Sequence, residues 1–217
     1  MGVVIGIDPG LSRCGIAVLG GTGARPHLVA SDVIRTHADD SHSERLAVIH
    51  AGIQSMARQY RPNALAVERI FINKQGNTGI GAVQVVGFVH LIGADLSIPV
   101  VEYTPSQVKA AVTGSGDADK AAVQMMVQKT LGLPARPTPA DRADAMAVAI
   151  CHLGIPAFRQ RDPRLNPHRD AHLRSRVSGD TRSSGGMSAR LAKAMETAGP
   201  GLAAIHPSRL PQQKDQP

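Results

Sequence analysis

The feature that most restricts this chain stands at its N-terminus, MGVVIGIDPGLSRCG. The apolar, β-branched run Val3, Val4, Ile5 and Ile7 reads as a buried strand, and it ends on Asp8 just before the breakers Pro9 and Gly10. A carboxylate at the tip of a core strand is costly unless a cation pairs with it. Either a basic side chain or a metal ion is therefore expected beside Asp8. The apolar run resumes over 15–20, as an antiparallel hairpin partner would.

The rest of the chain alternates strand and helix signals. Residues 27–36 read as a third strand, and Ser43 with Glu44 and Arg45 opens a helix to about Tyr60, with Leu46, Ile49, Ile53 and Met56 at helical spacing. ALAVE, 64–68, is a short buried strand that again finishes on a carboxylate, Glu68. IFINKQGNTG is a loop. The following helix, 80–96, is apolar nearly all round, so it must be buried, against the sheet on one side and with a second subunit as a candidate cover on the other. PVVEY is a strand, Thr104 caps a helix with Pro105 at its first position, and Asp119 caps a helix over 120–131. After the linker GLPARPTPA a last helix runs from Asp141 to about Leu153, packing inward through Ala143, Met146, Ala147 and Ile150. This order predicts an α/β fold with a mixed sheet flanked by helices.

At 217 residues the chain can bury one sizeable core or two small ones. With no Trp, two Tyr and three Phe, that core must be aliphatic. Cys14 and Cys151 have neither zinc nor disulfide-framework spacing, which suits thiols in a reducing compartment. No signal peptide and no run of about 18 apolar residues is seen, so a cytoplasmic protein without a membrane span is expected. The net charge of +7 is uneven: residues 1–158 hold 13 Lys and Arg against 12 Asp and Glu, whereas 159–217 hold 11 against 5. The expected organisation is a folded domain over 1–158 and a basic, mostly disordered tail over 159–217, with a short helix over 188–198. The tail is either a solvated extension or an electrostatic tether for nucleic acid.

Four acids form the chemical pattern. Asp141 and Asp144 lie three apart at a helix start, so both carboxylates leave one face of its first turn, where they can meet the strand tips carrying Asp8 and Glu68. Each acid also has an ordinary reading: Asp8 as a turn former, Glu68 as a surface charge, Asp141 as an N-cap and Asp144 as a dipole partner. Converging together, they would repel one another unless cations neutralise them. All-oxygen ligation suits Mg²⁺ or Mn²⁺ and not zinc.

GIDPGLSRCG, AVERIF, YTPSQVKAAVTGSGDADKAAVQMMV and ADRADAMAVAICH, in this order and spacing, closely resemble the RuvC family of Holliday-junction resolvases. The resemblance spans roughly 2–155. It implies an RNase H-like fold, a homodimer, and a structure-selective endonuclease that resolves four-way DNA junctions by paired symmetric nicks in homologous recombination and DNA repair. Branch-migration helicase subunits become candidate partners. It implies that Asp8, Glu68, Asp141 and Asp144 are catalytic metal ligands, for two Mg²⁺ per site with Mn²⁺ as a substitute. Lys109 and Lys120 match lysines near the scissile phosphate, and Phe71 matches an aromatic placed against an unstacked base. Arg69, Asn73 and Lys74, around that aromatic, are candidate DNA contacts. Two divalent ions about 3.5 to 4 Å apart would activate a water in line with the leaving 3′ oxygen, with Asp8 as the bridging ligand. The chain departs from the family at Gln75 to Thr78, at Val85 and Val86, and at Arg69 and Arg142, which stand where smaller or uncharged residues are common.

Three rival classes share parts of this pattern. Actin-like kinases and chaperone ATPases open similarly but need a second phosphate loop, and TGSGDADK lacks the Gly-Lys-Ser/Thr of a P-loop. A non-catalytic junction binder with structural acids is disfavoured by the presence of all four, and a nuclease assay with magnesium separates the two. An RNase H-like nuclease acting on RNA is separated by substrate comparison.

Overall fold

The computed structural model describes residues 2–71 and 79–154. Asn73, Lys74, the 158/159 boundary, the basic tail and the helix expected over 188–198 lie outside the described residues. The elements are β1 (Gly2–Asp8), β2 (Arg13–Thr22), β3 (Arg25–Arg35), α1 (His42–Tyr60), β4 (Ala64–Glu68), α2 (Ile80–Leu96), β5 (Val100–Tyr103), α3 (Pro105–Thr113), α4 (Lys120–Leu131) and α5 (Ala140–Gly154). They form the expected mixed sheet, in the order β3-β2-β1-β4-β5. The first three strands make an antiparallel meander, and β4 and β5 add on in parallel with β1. The strand that carries Asp8 is therefore the central one.

Strand alternation divides the core in two. Ile5, Ile7, Ile16 and Val18 face α1 and α2 through Ile49, Ile53, Val85 and Val89. Val4, Ala17, Leu19 and Ala66 face the opposite layer, where α3, α4 and α5 supply Val108, Val123, Val127 and Met146. The aliphatic composition suits this arrangement, because β-branched side chains pack well on a pleated surface.

The helix caps follow the sequence chemistry with one shift. α1 begins at Ser41 rather than Ser43: the Ser41 hydroxyl accepts from the Glu44 amide, and the Glu44 carboxylate accepts from the Ser41 amide. The carboxylate must sit three residues past the cap to reach back, and only Ser41 has that spacing. Thr104 and Asp119 cap α3 and α4 as expected.

On the sheet side α2 packs as its sequence reading expects, with a second apolar face turned outward, and α5 differs from its sequence reading. Along α2, Val85, Val89, Ile92 and Gly93 are buried, but Ile80, Val83 and Leu91 are exposed, so an apolar helix leaves an apolar stripe on the surface. In α5 burial is more complete than one inward face would give. Ala145, Val148, Ala149, Cys151 and His152 are buried as well, because α3 and α4 cover the side of α5 that faces away from the sheet. His152 is satisfied there by the Tyr103 hydroxyl, 2.8 Å from its Nδ1.

α5 lies unusually close to the sheet, and glycine permits this. A Cβ on Gly6 would collide with the Ala145 carbonyl oxygen, and one on Gly15 with the Asp141 carbonyl oxygen. Neither obstacle is a flexible side-chain end, so neither can yield cheaply. Gly6→Ala or Gly15→Ala is expected to lower stability by about 3 kcal/mol or more, read from urea unfolding followed by circular dichroism.

Candidate active site

The close docking of α5 builds the site. Asp8 pairs with Gly15 across the β1–β2 ladder, and the first turn of α5 crosses Gly15 at Asp141. On the other side, β1 and β4 run in parallel with Ile7 opposite Val67, so Asp8 and Glu68 finish adjacent strands. Four acids from three elements thus meet at one end of the sheet.

Their electrostatics record the crowding. Burial, followed by repulsion from Asp144, Glu68 and Asp141, raises the Asp8 carboxyl to about 7. Burial and the Asp144 charge also push Glu68 upward, while Lys120 and Lys109 act in the opposite sense. Asp144 and Asp141 each have a basic partner. Lys120 Nζ donates to Asp144 Oδ2 at 2.8 Å, and Arg13 Nε lies 3.5 Å from Asp141 Oδ2. The Asp144 hydrogen bond is the main reason that the Lys120 ammonium is held above its ordinary range. A lysine at the first position of α4 opposes the helix dipole, and this pairing is its compensation.

Side chains present as they stand do not enclose an ion: among the described residues, no three His, Cys, Asp or Glu groups are disposed to hold a metal. The donor set nevertheless fits a hard divalent cation. It consists of carboxylates around a buried charge that repels its neighbours, with no soft ligand competing. Cys14, packed in the core on the other face of the sheet, is not such a ligand, since burial pushes its thiol up to about 12 and keeps it protonated.

The remaining candidates are distributed around this cluster. Lys109, on α3, acts electrostatically on Glu68. Phe71 is 61% exposed three residues past Glu68, so it is not a cover for the core. Arg69 turns to the sheet edge, where its Nε donates to Glu102 Oε2 at 3.1 Å, and His90 Nε2 of α2 lies 2.9 Å from Glu102 Oε1. Burial works against the Glu102 charge, but the His90 and Arg69 hydrogen bonds outweigh it and hold the carboxyl below its usual range. Arg142 leans away from the acids, donating to Ser31 Oγ and to the Thr138 carbonyl. Sequence reasoning missed Arg13 and Glu102. Arg13 could have been found from its place at the start of the strand that answers β1; Glu102 has no local signal, because its partners are 33 and 12 residues away.

Comparison with known proteins assigns the chain to a family. The family model for crossover junction endodeoxyribonuclease RuvC matches residues 4–152. The chain belongs to the RuvC family. Among its relatives, the crossover junction endodeoxyribonuclease RuvC of Cutibacterium acnes is 50% identical over 151 residues, 69% of this chain and 77% of that protein. The protein of the same name from Rhodococcus opacus is 51% identical over 150 residues, 69% and 79% of the two chains. The structure of T. thermophilus RuvC in complex with a Holliday junction substrate superimposes with a TM-score of 0.68 at 36% identity, covering 74% of this chain and 96% of that one. A second T. thermophilus RuvC structure gives 0.64 at 37% identity, over 69% and 92%. The RNase H-like fold expected from the RuvC motifs is the fold observed.

The raised Asp8 carboxyl has a sign that can be tested. The unfolded chain gives up this proton near 3.8 and the folded chain near 7, so the native state binds more protons between those values. Native stability contributed by the neutral form is complete below about 4 and is lost as pH rises through 7. In EDTA, the melting temperature is expected to fall across this window, and Asp8→Asn should flatten that slope and melt several degrees higher than wild type at pH 8, read by differential scanning fluorimetry.

Proposed function

We propose that this chain is a Mg²⁺-dependent endodeoxyribonuclease that resolves four-way DNA junctions by paired symmetric nicks, acting in homologous recombination and DNA repair. The observation that carries the reading is the convergence of Asp8, Glu68, Asp141 and Asp144 at one end of the sheet, with Lys120 and Lys109 reaching the same cluster, in a member of the RuvC family. Asp8 is the acid best placed to serve two ions, because its strand is central and the other three acids all act on it. Bound at these carboxylates, two Mg²⁺ ions, or Mn²⁺ in their place, would activate the attacking water and neutralise charge on the leaving oxygen.

The chain's own residues do the rest. Glu68, Asp141 and Asp144 would hold the ions together with Asp8 and supply the negative charge that attracts them. Lys120, with its side chain 63% exposed at the rim, places an ammonium where a phosphoryl oxygen can dock. Lys109 adds a second positive charge beside Glu68. Phe71 offers an exposed ring for stacking on an unpaired base at the junction centre, with Arg69, Asn73 and Lys74 as neighbouring DNA contacts. The basic region 159–217 would add salt-dependent affinity.

A homodimer gives two such sites around one axis, which matches a substrate with two-fold symmetry. The exposed Ile80, Val83 and Leu91 on α2 supply the apolar surface for it. The reading also places the protein in the cytoplasm, where branch-migration helicase subunits are its candidate partners.

The test is cleavage of a mobile synthetic four-way junction beside linear duplex of the same sequence, with Mg²⁺ or EDTA. Paired nicks confined to the junction and lost in EDTA are expected. Asp8→Asn should keep junction binding and abolish cleavage; loss of both together would count against the assignment. Val83→Glu with Leu91→Glu is expected to convert a dimer into a monomer in sedimentation velocity, and a monomeric wild type would overturn the dimer.

A further inference from the structure

The acid cluster is flanked on its β2 side by arginines that the proposed chemistry does not use. Arg13 and Arg35 stand directly opposite each other in the antiparallel β2–β3 ladder, which puts both side chains on one face of the sheet. That face is the one covered by α5, since Gly15, two residues from Arg13, meets the α5 backbone at Asp141. Ser31 shares the same face of β3 with Arg35, and it receives two hydrogen bonds from Arg142 of α5, at 3.1 and 2.7 Å. Arg13, Arg35 and Arg142 therefore form one basic strip. It starts at Asp141 and crosses β2 to the edge strand β3.

The strip is under-neutralised. Arg13 has Asp141 at 3.5 Å, but the Arg13 side chain is 62% exposed. Arg142 is held only by a hydroxyl and a carbonyl, and among the described residues neither Arg142 nor Arg35 forms an ion pair. Asp32, the nearest acid along β3, belongs to the opposite face, and its Oδ1 accepts from the Val33 amide. Like charges placed directly across a ladder are destabilising, so this pairing is a cost to the fold. A polyanion laid along the strip would remove that cost and use the exposed guanidinium donors.

We propose that Arg13, Arg35 and Arg142 bind the sugar-phosphate backbone of the DNA strand flanking the cut, on the β3 side of the acids. This rests on the nuclease reading above and extends it. Lys109 and Lys120 approach from α3 and α4 and act on Glu68 and Asp144, whereas the arginines lead away across β2; β2 and β4 lie on opposite sides of β1. The substrate backbone thus meets positive charge on both sides of the acids. Contacts of this kind position the strand without reading its bases.

The experiment measures equilibrium binding of the full-length protein to a fluorescent four-way junction in EDTA across a range of salt concentrations. Arg35→Gln and Arg142→Gln are each expected to weaken binding several-fold and to lower the slope of log Kd against log salt by about one. Arg58→Gln, an exposed charge in the last turn of α1, is the control and should leave both unchanged. Wild-type affinity and slope in the Arg35 and Arg142 variants would overturn the strip, as would an equal loss in Arg58→Gln, which would show a general charge effect. A wild type that does not bind the junction would instead overturn the nuclease reading itself, so the two failures are distinguishable.

Discussion

The structure depends on one steric condition: the backbone of α5 rests directly on two glycines of the central hairpin. Gly6 and Gly15 have no side chain to hold the helix off, so the Ala145 and Asp141 carbonyls settle onto β1 and β2. The same approach brings the first turn of α5 to the tip of β1. Packing and site formation are therefore a single event, and an added methyl at either glycine would disturb both.

The site built this way is electrostatically costly. Asp8 is buried among three other carboxylates, and its proton affinity rises accordingly. Lys120 and Arg13 offset part of the cost by pairing with Asp144 and Asp141, and Lys109 acts on Glu68. Those cations are more exposed than the acids they meet, since the side chains of Lys120 and Arg13 are 63% and 62% exposed against 21% and 17% for their partners. A fixed, buried negative centre ringed by solvent-facing positive groups is an arrangement that selects cations inside and phosphates at the rim. It also explains why a lysine is tolerated at the start of α4, where the helix dipole alone would disfavour it.

Much of this was legible in the residues. Short apolar runs located the strands, the capping chemistry of Thr104 and Asp119 located two helix starts, and acids at strand ends located Asp8 and Glu68. Legibility stopped where a feature depends on distant partners. Glu102 gives no local sign of holding Arg69 and His90, and the place of Arg13 at the start of β2 puts it near the strand tip without showing which acid it faces. That α2 carries more than one apolar face was legible, but which of its residues stay exposed was not, because periodicity counts apolar residues and not the neighbours available to cover them.

By itself the sequence determined the element order, the aliphatic core, the family motifs and the identity of the four acids, since each follows from local propensity, alternation or a short motif. Tertiary structure alone decided that β1 lies at the centre of the sheet, that the glycines let α5 touch it, and which basic side chain answers each acid. Those are matters of contact between residues far apart in the chain, set by steric fit and Coulomb interactions once the layers have closed.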